Sequence, residues 1–98
     1  GTTGYNYKDM TISDDIIEQT EQCFVNIKTT LQEAKATLSD IVRITYILPN
    51  ANDFKKCWPV LNKYLKDIKP AATMFSAGLA DEKMKIEIQV TALKAKNT

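Results

Sequence analysis

The sequence contains no histidine. That absence removes the commonest general base near neutral pH, the commonest nitrogen ligand for metals, and every nucleophile that relies on an imidazole partner. Cysteine is scarce: Cys23 and Cys57 stand alone, too far apart for a zinc-knuckle spacing. Both sit among apolar residues of helical pattern and read as reduced core thiols rather than as a disulfide or a reactive site. Neither sign of charge dominates, because 13 basic and 12 acidic residues leave a net charge of +1. The charges are interspersed, so the basic stripe that nucleic acid or an anionic membrane surface requires is missing. No apolar run approaches membrane-spanning length, and no charged segment followed by an apolar run opens the chain as in a signal peptide. No internal repeat or low-complexity segment occurs. These absences predict a soluble, cytoplasmic protein with no metal or cofactor assigned.

What is present suits one small core. Apolar residues make up 44% of 98 positions, an ordinary share for a globular domain of this size. Residues 1–10 read as the end of a strand or a turn. Ser13, Asp14 and Asp15 then place a capping oxygen and negative charge where a helix begins. Ile16, Thr20, Cys23, Phe24, Ile27, Leu31 and Ala34 recur at three- and four-residue steps and form one apolar stripe. Ser39-Asp40 interrupts it. Residues 41–48 are rich in β-branched and aromatic side chains, apolar on both faces except at Arg43 and Thr45, which predicts a central strand.

Pro49 to Asn52 reads as a turn. A second helix follows over about 53–66, with Phe54, Cys57, Leu61 and Tyr64 facing inward. Pro59 inside it lacks an N–H and costs ~3 kcal/mol in a regular helix interior. The spacing therefore predicts a kink near Lys55-Lys56 or a helix that starts close to Cys57. Residues 72–79 read as a short strand and 80–83 as a turn. Residues 84–93 alternate, with Met84, Ile86, Ile88, Val90 and Ala92 on one face and Lys85, Glu87, Gln89 and Thr91 on the other. The last five residues read as a frayed tail. Two helices with one apolar stripe each need a sheet face to cover, so the expected fold is an α+β sandwich with both helices on one face of a mixed sheet.

Several segments carry a family resemblance. Lys69-Pro70-Ala71-Ala72-Thr73-Met74, followed by the strand Lys85-Ile86-Glu87-Ile88-Gln89-Val90, resembles the signature of the YjgF/RidA (endoribonuclease L-PSP-like) family. Its deaminase members read Pro-Ala-Arg-Ser/Thr and then a Glu-Ile-Glu strand. Gly1-Thr2-Thr3-Gly4 is similar to the family's Ser-Gly-Gln segment, and residues 19–31 to its Gln-x-x-x-x-Leu-x-Asn-Ile/Val helix. Asp40-Ile41-Val42-Arg43 is similar to its Asp-Ile/Val-Val-Lys strand start, and Asn52-Asp53-Phe54 matches as well. The resemblance covers nearly the whole chain. It implies the chorismate-mutase-like fold, a single domain over 1–98 lacking the two strands that usually precede Gly1, and a homotrimer with ligand clefts between subunits.

The resemblance also implies the site. Glu87 matches the glutamate that positions or activates water in deaminase members; its bland reading is a solvated carboxylate on an alternating strand. Ala72 fills the arginine position, with Ala71 as the alternative alignment, and neither can supply the two parallel hydrogen bonds by which a guanidinium grips a carboxylate. Lys69 and Arg43 are candidate substitutes for that charge. Met74 replaces a cysteine, and Trp58 falls where active members often carry asparagine. Gly1, Thr2 and Thr73 complete the expected ligand-binding set with Trp58, Ala72 and Met74. Plain packing for Trp58 and a tight turn for Gly1 are the simpler alternatives.

Two functions follow from the resemblance. One is a divergent trimeric protein that binds a neutral or aromatic small metabolite between subunits. The other is an imine or enamine deaminase acting on reactive 2-imino acids with Glu87 positioning water. A nucleic-acid role lacks its basic stripe, and a purely structural trimer with an empty cleft remains a further alternative.

Overall fold

The computed structural model of the chain describes residues 1–94. Three two-residue strands open it: β1 (Thr2–Thr3), β2 (Tyr5–Asn6) and β3 (Thr11–Ile12). Helix α1 (Ile16–Glu33), strand β4 (Ile41–Leu48), helix α2 (Phe54–Leu65), strand β5 (Ala71–Ser76) and strand β6 (Glu87–Ala92) follow. The main sheet has the order β1-β6-β4-β5. β6 runs antiparallel to β1 and β4, while β4 and β5 run parallel. Parallel neighbours need a crossover connection, and α2 supplies it. β2 and β3 form a separate hairpin where a strand end or turn was expected. The result is the expected α+β architecture: a mixed sheet with both helices on one face.

Asp15 is the residue of the Ser13–Asp15 cluster that caps α1. Its backbone is extended (φ −90°, ψ 127°), and its carboxylate accepts the Glu18 N–H at 3.1 Å. Ile16, Thr20, Cys23, Phe24, Ile27 and Leu31 are buried as the stripe requires. Ala34 is not; it is exposed, because the helix stops at Glu33 and the chain reverses through Lys35 at φ 59°. The Ala36 N–H then returns to the Leu31 carbonyl at 2.7 Å, closing the helix end and burying Ala36 in place of Ala34.

β4 occupies the predicted span and the predicted central position. Ile44, Tyr46 and Leu48 face the helices and belong to the buried cluster with Phe24, Ile86 and Ile88. Ile47 is also buried but lies outside that cluster, on the opposite face of the sheet. Val42 is exposed, contrary to the even apolar reading. The ladder shifts register between Ile41 and Arg43, so Val42 bulges out of the pairing with β6.

α2 starts at Phe54, after a 3₁₀ turn at Ala51–Asp53, and runs uninterrupted through Pro59. The start near Cys57 is therefore corrected. The carbonyl that Pro59 leaves without its helical partner belongs to Lys55, an exposed residue on the solvent side of the helix. Val60 and Leu65 are buried beside Cys57, whereas Phe54, Leu61 and Tyr64 are only partly covered. The helices meet through Phe24 and Tyr64, whose rings stack with centroids 4.7 Å apart and planes 9° from parallel.

β5 is shorter than predicted and ends at Ser76. There the Ser76 hydroxyl donates to the Pro49 carbonyl at 3.1 Å and the Ala77 N–H to Leu48 at 3.2 Å. β5 pairs only with β4 and forms an edge of the sheet. β6 starts at Glu87 rather than at 84. The segment just before it is held by a side chain instead of a strand: the Gln19 amide donates to the Lys83 carbonyl and accepts the Lys85 N–H, each at 2.9 Å. The tail expectation concerns mainly 95–98, outside the described residues.

Candidate functional site

Glu87 opens β6, opposite Thr3 on one side and Ile47 on the other. Ile86 and Ile88 point into the core, so alternation sends the Glu87 carboxylate to the face away from the helices. Gly1 lies against that carboxylate. A Cβ built on Gly1 would stand 2.7 Å from Glu87 Cδ, too close for any side chain with the carboxylate where it is. Gln89 Nε2 donates weakly to Glu87 Oε2 at 3.4 Å. Thr2 pairs with Ile88. Gly1, Thr2 and Glu87 are thus brought together at the β1–β6 end of the sheet.

The other expected residues lie elsewhere. Trp58 projects from α2 and is 51% exposed, so the packing alternative does not describe it. It meets Phe54 edge-on at 6.3 Å, and Phe54 in turn meets Tyr46 at 5.2 Å. Trp58, Tyr46, Lys66, Lys69, Pro70 and Ala72 line a groove of about 320 Å³ between α2 and β5. Ala72 sits opposite Ile44 and Met74 opposite Tyr46. Met74 packs against the core from the helix side. Thr73 sits opposite Thr45 and is exposed on the other face. Arg43 is exposed at the far end of β4, opposite Ala71 and Thr91.

The chain therefore gathers two separate groups. Glu87, Gly1 and Thr2 form one at the β1–β6 end. Trp58 and Ala72 form the other, with Lys69 in the same groove, and β4 stands between β6 and β5. Thr73 joins neither.

Several side chains that hold these groups were not singled out by sequence reasoning. Gln19 is fully buried and fixes the approach to Glu87, its amide donating to the Ser13 carbonyl at 2.7 Å besides its bonds around Met84. Gly4 lets α1 come close: a Cβ there would lie 2.8 Å from the Gln19 Cα. Asn26 donates to the Thr3 and Tyr5 carbonyls at 3.1 and 2.8 Å, pinning the strand next to Glu87. The available signal was a polar residue inside or beside an apolar helical stripe.

The thiols are not candidates for catalysis. Cys23 and Cys57 are free and buried, and burial pushes the Cys23 thiol up to about 12 and raises that of Cys57. Burial likewise lifts the Tyr46 phenol to about 12, so its ring offers the groove a neutral surface.

A family model described as endoribonuclease L-PSP matches residues 1–94. The chain belongs to this family, the YjgF/RidA family. A RutC family protein of Pyrococcus abyssi is 36% identical over 85% of this chain and 65% of its own length. Reactive Intermediate Deaminase A, chloroplastic, of Arabidopsis thaliana is 30% identical over 83% of this chain and 43% of its own length. The crystal structure of a YjgF/YER057c/UK114 family member from Mycobacterium tuberculosis superposes with a TM-score of 0.83 at 28% identity, over 94% of this chain and 73% of that one. The chain thus spans less than two thirds of the length of these two curated relatives. Family membership agrees with the observed mixed sheet and its two helices.

Proposed function

We propose that the chain acts as a divergent YjgF/RidA protein that binds a small metabolite in a cleft between copies of a homotrimer. The observation that carries this reading is the separation of the two residue groups. Glu87 with Gly1 is an open half-site on one part of the surface, and the Trp58–Ala72 groove is an open half-site on another. Neither encloses a ligand alone. A neighbouring copy that sets its groove against Glu87 would complete both. Within such a cleft Trp58 and Tyr46 supply an apolar wall, and Glu87 supplies the polar contact.

The proposal is tested by mixing two defective variants. Light scattering should report a trimer, and a metabolite panel should raise the melting temperature by mass action. Glu87→Gln and Trp58→Ala should each abolish that rise. Unfolding and refolding the two together should restore part of it, because some mixed clefts receive one intact half from each chain. A monomer, or no recovery in the mixture, would defeat the proposal.

A second reading is imine hydrolysis, favoured by the placement of the Glu87 carboxylate against the Gly1 backbone with only a long bond from Gln89, and in keeping with the name of the Arabidopsis relative. Glu87 would accept a proton from water as the water oxygen attacks the imine carbon, and would hand that proton to the nitrogen that receives the electrons of the broken C=N π bond. The resulting carbinolamine then collapses to a carbonyl and releases ammonia. Turnover of 2-iminopropanoate that disappears in Glu87→Gln would establish this reading; no turnover by the intact protein would remove it.

A further inference from the structure

The charge in the Trp58 groove gives the ligand a sign. Tyr46, Trp58, Leu61, Leu65 and Ala72 make its wall, Asn62 contributes an amide, and Lys66 and Lys69 are the ionisable cations that line it among the described residues. Among the described residues no carboxylate lines it. Among the described residues the ion pairs are Lys56–Asp53 and Lys63–Glu21, so neither groove lysine is neutralised by a side chain. Two ammonium groups beside an apolar wall, with Asp67 between them in the chain but outside the groove lining, favour a small anion over a neutral guest.

The backbone adds an independent observation. Lys69 has φ 48°, the left-handed region, immediately before Pro70. A side chain is disfavoured there, and a following proline narrows the choice further. Glycine is the usual occupant of such a place after a helix. The Lys69 and Ile68 N–H groups both return to the Leu65 carbonyl, at 3.3 and 3.0 Å, and hold this turn against the groove. Local conformation therefore argues against lysine at position 69, whereas the groove has a use for its charge.

We infer that Lys66 and Lys69 form an anion-recognition pair and that the groove takes a small aromatic carboxylate. This inference rests on reading the Trp58 groove as a ligand site and deepens it. The ring lies along the exposed Trp58, with Tyr46 buried beneath the groove floor, and the carboxylate lies between the two ammonium groups. A volume of about 320 Å³ suits a single ring with a short acid side chain. The neutral guest expected from Ala72 alone is thereby replaced, because the cation sits on the turn leaving α2 instead of on β5. Two lysines are point charges without the fork of a guanidinium, so they hold an anion with less demand on its orientation.

Trp58 is the sole tryptophan of the chain, so its fluorescence reports on this groove alone. Phenylacetate and its uncharged analogue phenylacetamide are titrated into the intact chain. Phenylacetate should bind at least about tenfold more tightly, and that preference should shrink as salt is raised. In Lys66→Gln/Lys69→Gln the preference should vanish while phenylacetamide binding and the melting temperature stay unchanged. Lys28→Gln, at a distance on α1, should keep the preference. Equal affinity for the two probes, a preference that survives the double substitution, or no saturable response to either probe would overturn the inference. The two proposals fail separately: a monomer would defeat the intersubunit cleft without touching this titration. Charge-blind binding still lost in Glu87→Gln would sink the lysine pair and leave the cleft standing.

Discussion

Gln19 and Lys85 are joined by a hydrogen bond of 2.9 Å between the side-chain oxygen of one and the backbone N–H of the other. The same amide donates to Ser13 and Lys83, so one fully buried side chain ties the start of α1 to the segment that delivers Glu87. Gln19→Leu keeps the approximate volume and removes all three bonds. It leaves the Lys85 N–H and two carbonyls to find water. Unfolding in urea should show a loss of about 2–4 kcal/mol, the range expected when buried polar partners are orphaned. A loss under about 0.5 kcal/mol would mean that water replaces the amide at no net expense.

Gly4 and Gly1 should respond oppositely to alanine. At Gly4 the new methyl meets the backbone of α1, 2.8 Å from the Gln19 Cα and carbonyl oxygen, and a helix does not step aside. Gly4→Ala should destabilise by about 2 kcal/mol or more. At Gly1 the methyl meets the mobile end of Glu87, which can swing away. Gly1→Ala should alter stability by less than about 0.5 kcal/mol and instead diminish any ligand response that depends on Glu87.

Lys35 holds φ 59° at the end of α1, where the Ala36 N–H reaches back to Leu31. Glycine adopts that conformation without a Cβ penalty. Lys35→Gly should raise stability by about 0.5–1 kcal/mol in thermal or urea unfolding. A decrease would show that the lysine's own contacts outweigh the relief.

Acid should loosen the contact between the helices through Glu21. The Tyr64 hydroxyl at 2.6 Å, and then the Lys63 ammonium at 2.9 Å, hold its carboxyl below the usual value. A folded-state value below the unfolded one means that the contribution is complete above the unfolded value and fades as pH falls through the folded one. Because Lys63 is largely exposed and Glu21 about one third exposed, solvent screening keeps the contribution below about 1 kcal/mol. Stability measured between about pH 6 and pH 3 should fall more steeply for the intact chain than for Glu21→Gln. Parallel curves would show that Glu21 contributes nothing.

Local pattern made the long elements legible. The 3.6-residue stripe located α1, and the β-branched run located β4 at both ends, because each repeats one simple rule over many residues. The bulge at Val42 was not legible, since it depends on the register against β6 and not on the identity of valine. Gln19 was hidden for a related reason: its polar atoms are satisfied by residues 83 and 85, a partnership no local window contains. The site divided along the same line. Glu87 and Gly1 were each singled out by their place in a motif, but their contact with one another and their distance from the Trp58 groove follow from the order β1-β6-β4-β5, which only the assembled sheet displays. Lys69, named from the sequence as a candidate substitute for the missing guanidinium, lines the Trp58 groove from the turn after α2, whereas Lys66 beside it carried no motif to mark it.

The outer margin of β5 carries a further consequence. From Ala71 to Ser76 it bears no lysine, acid or proline, its side chains are mostly exposed, and Phe75 is 47% uncovered. Proteins that must stay solitary blunt such a margin with charge or twist it out of reach. Left bare, it is a template on which another extended backbone can pair, so dilution and added charge on β5 should both favour the dispersed chain.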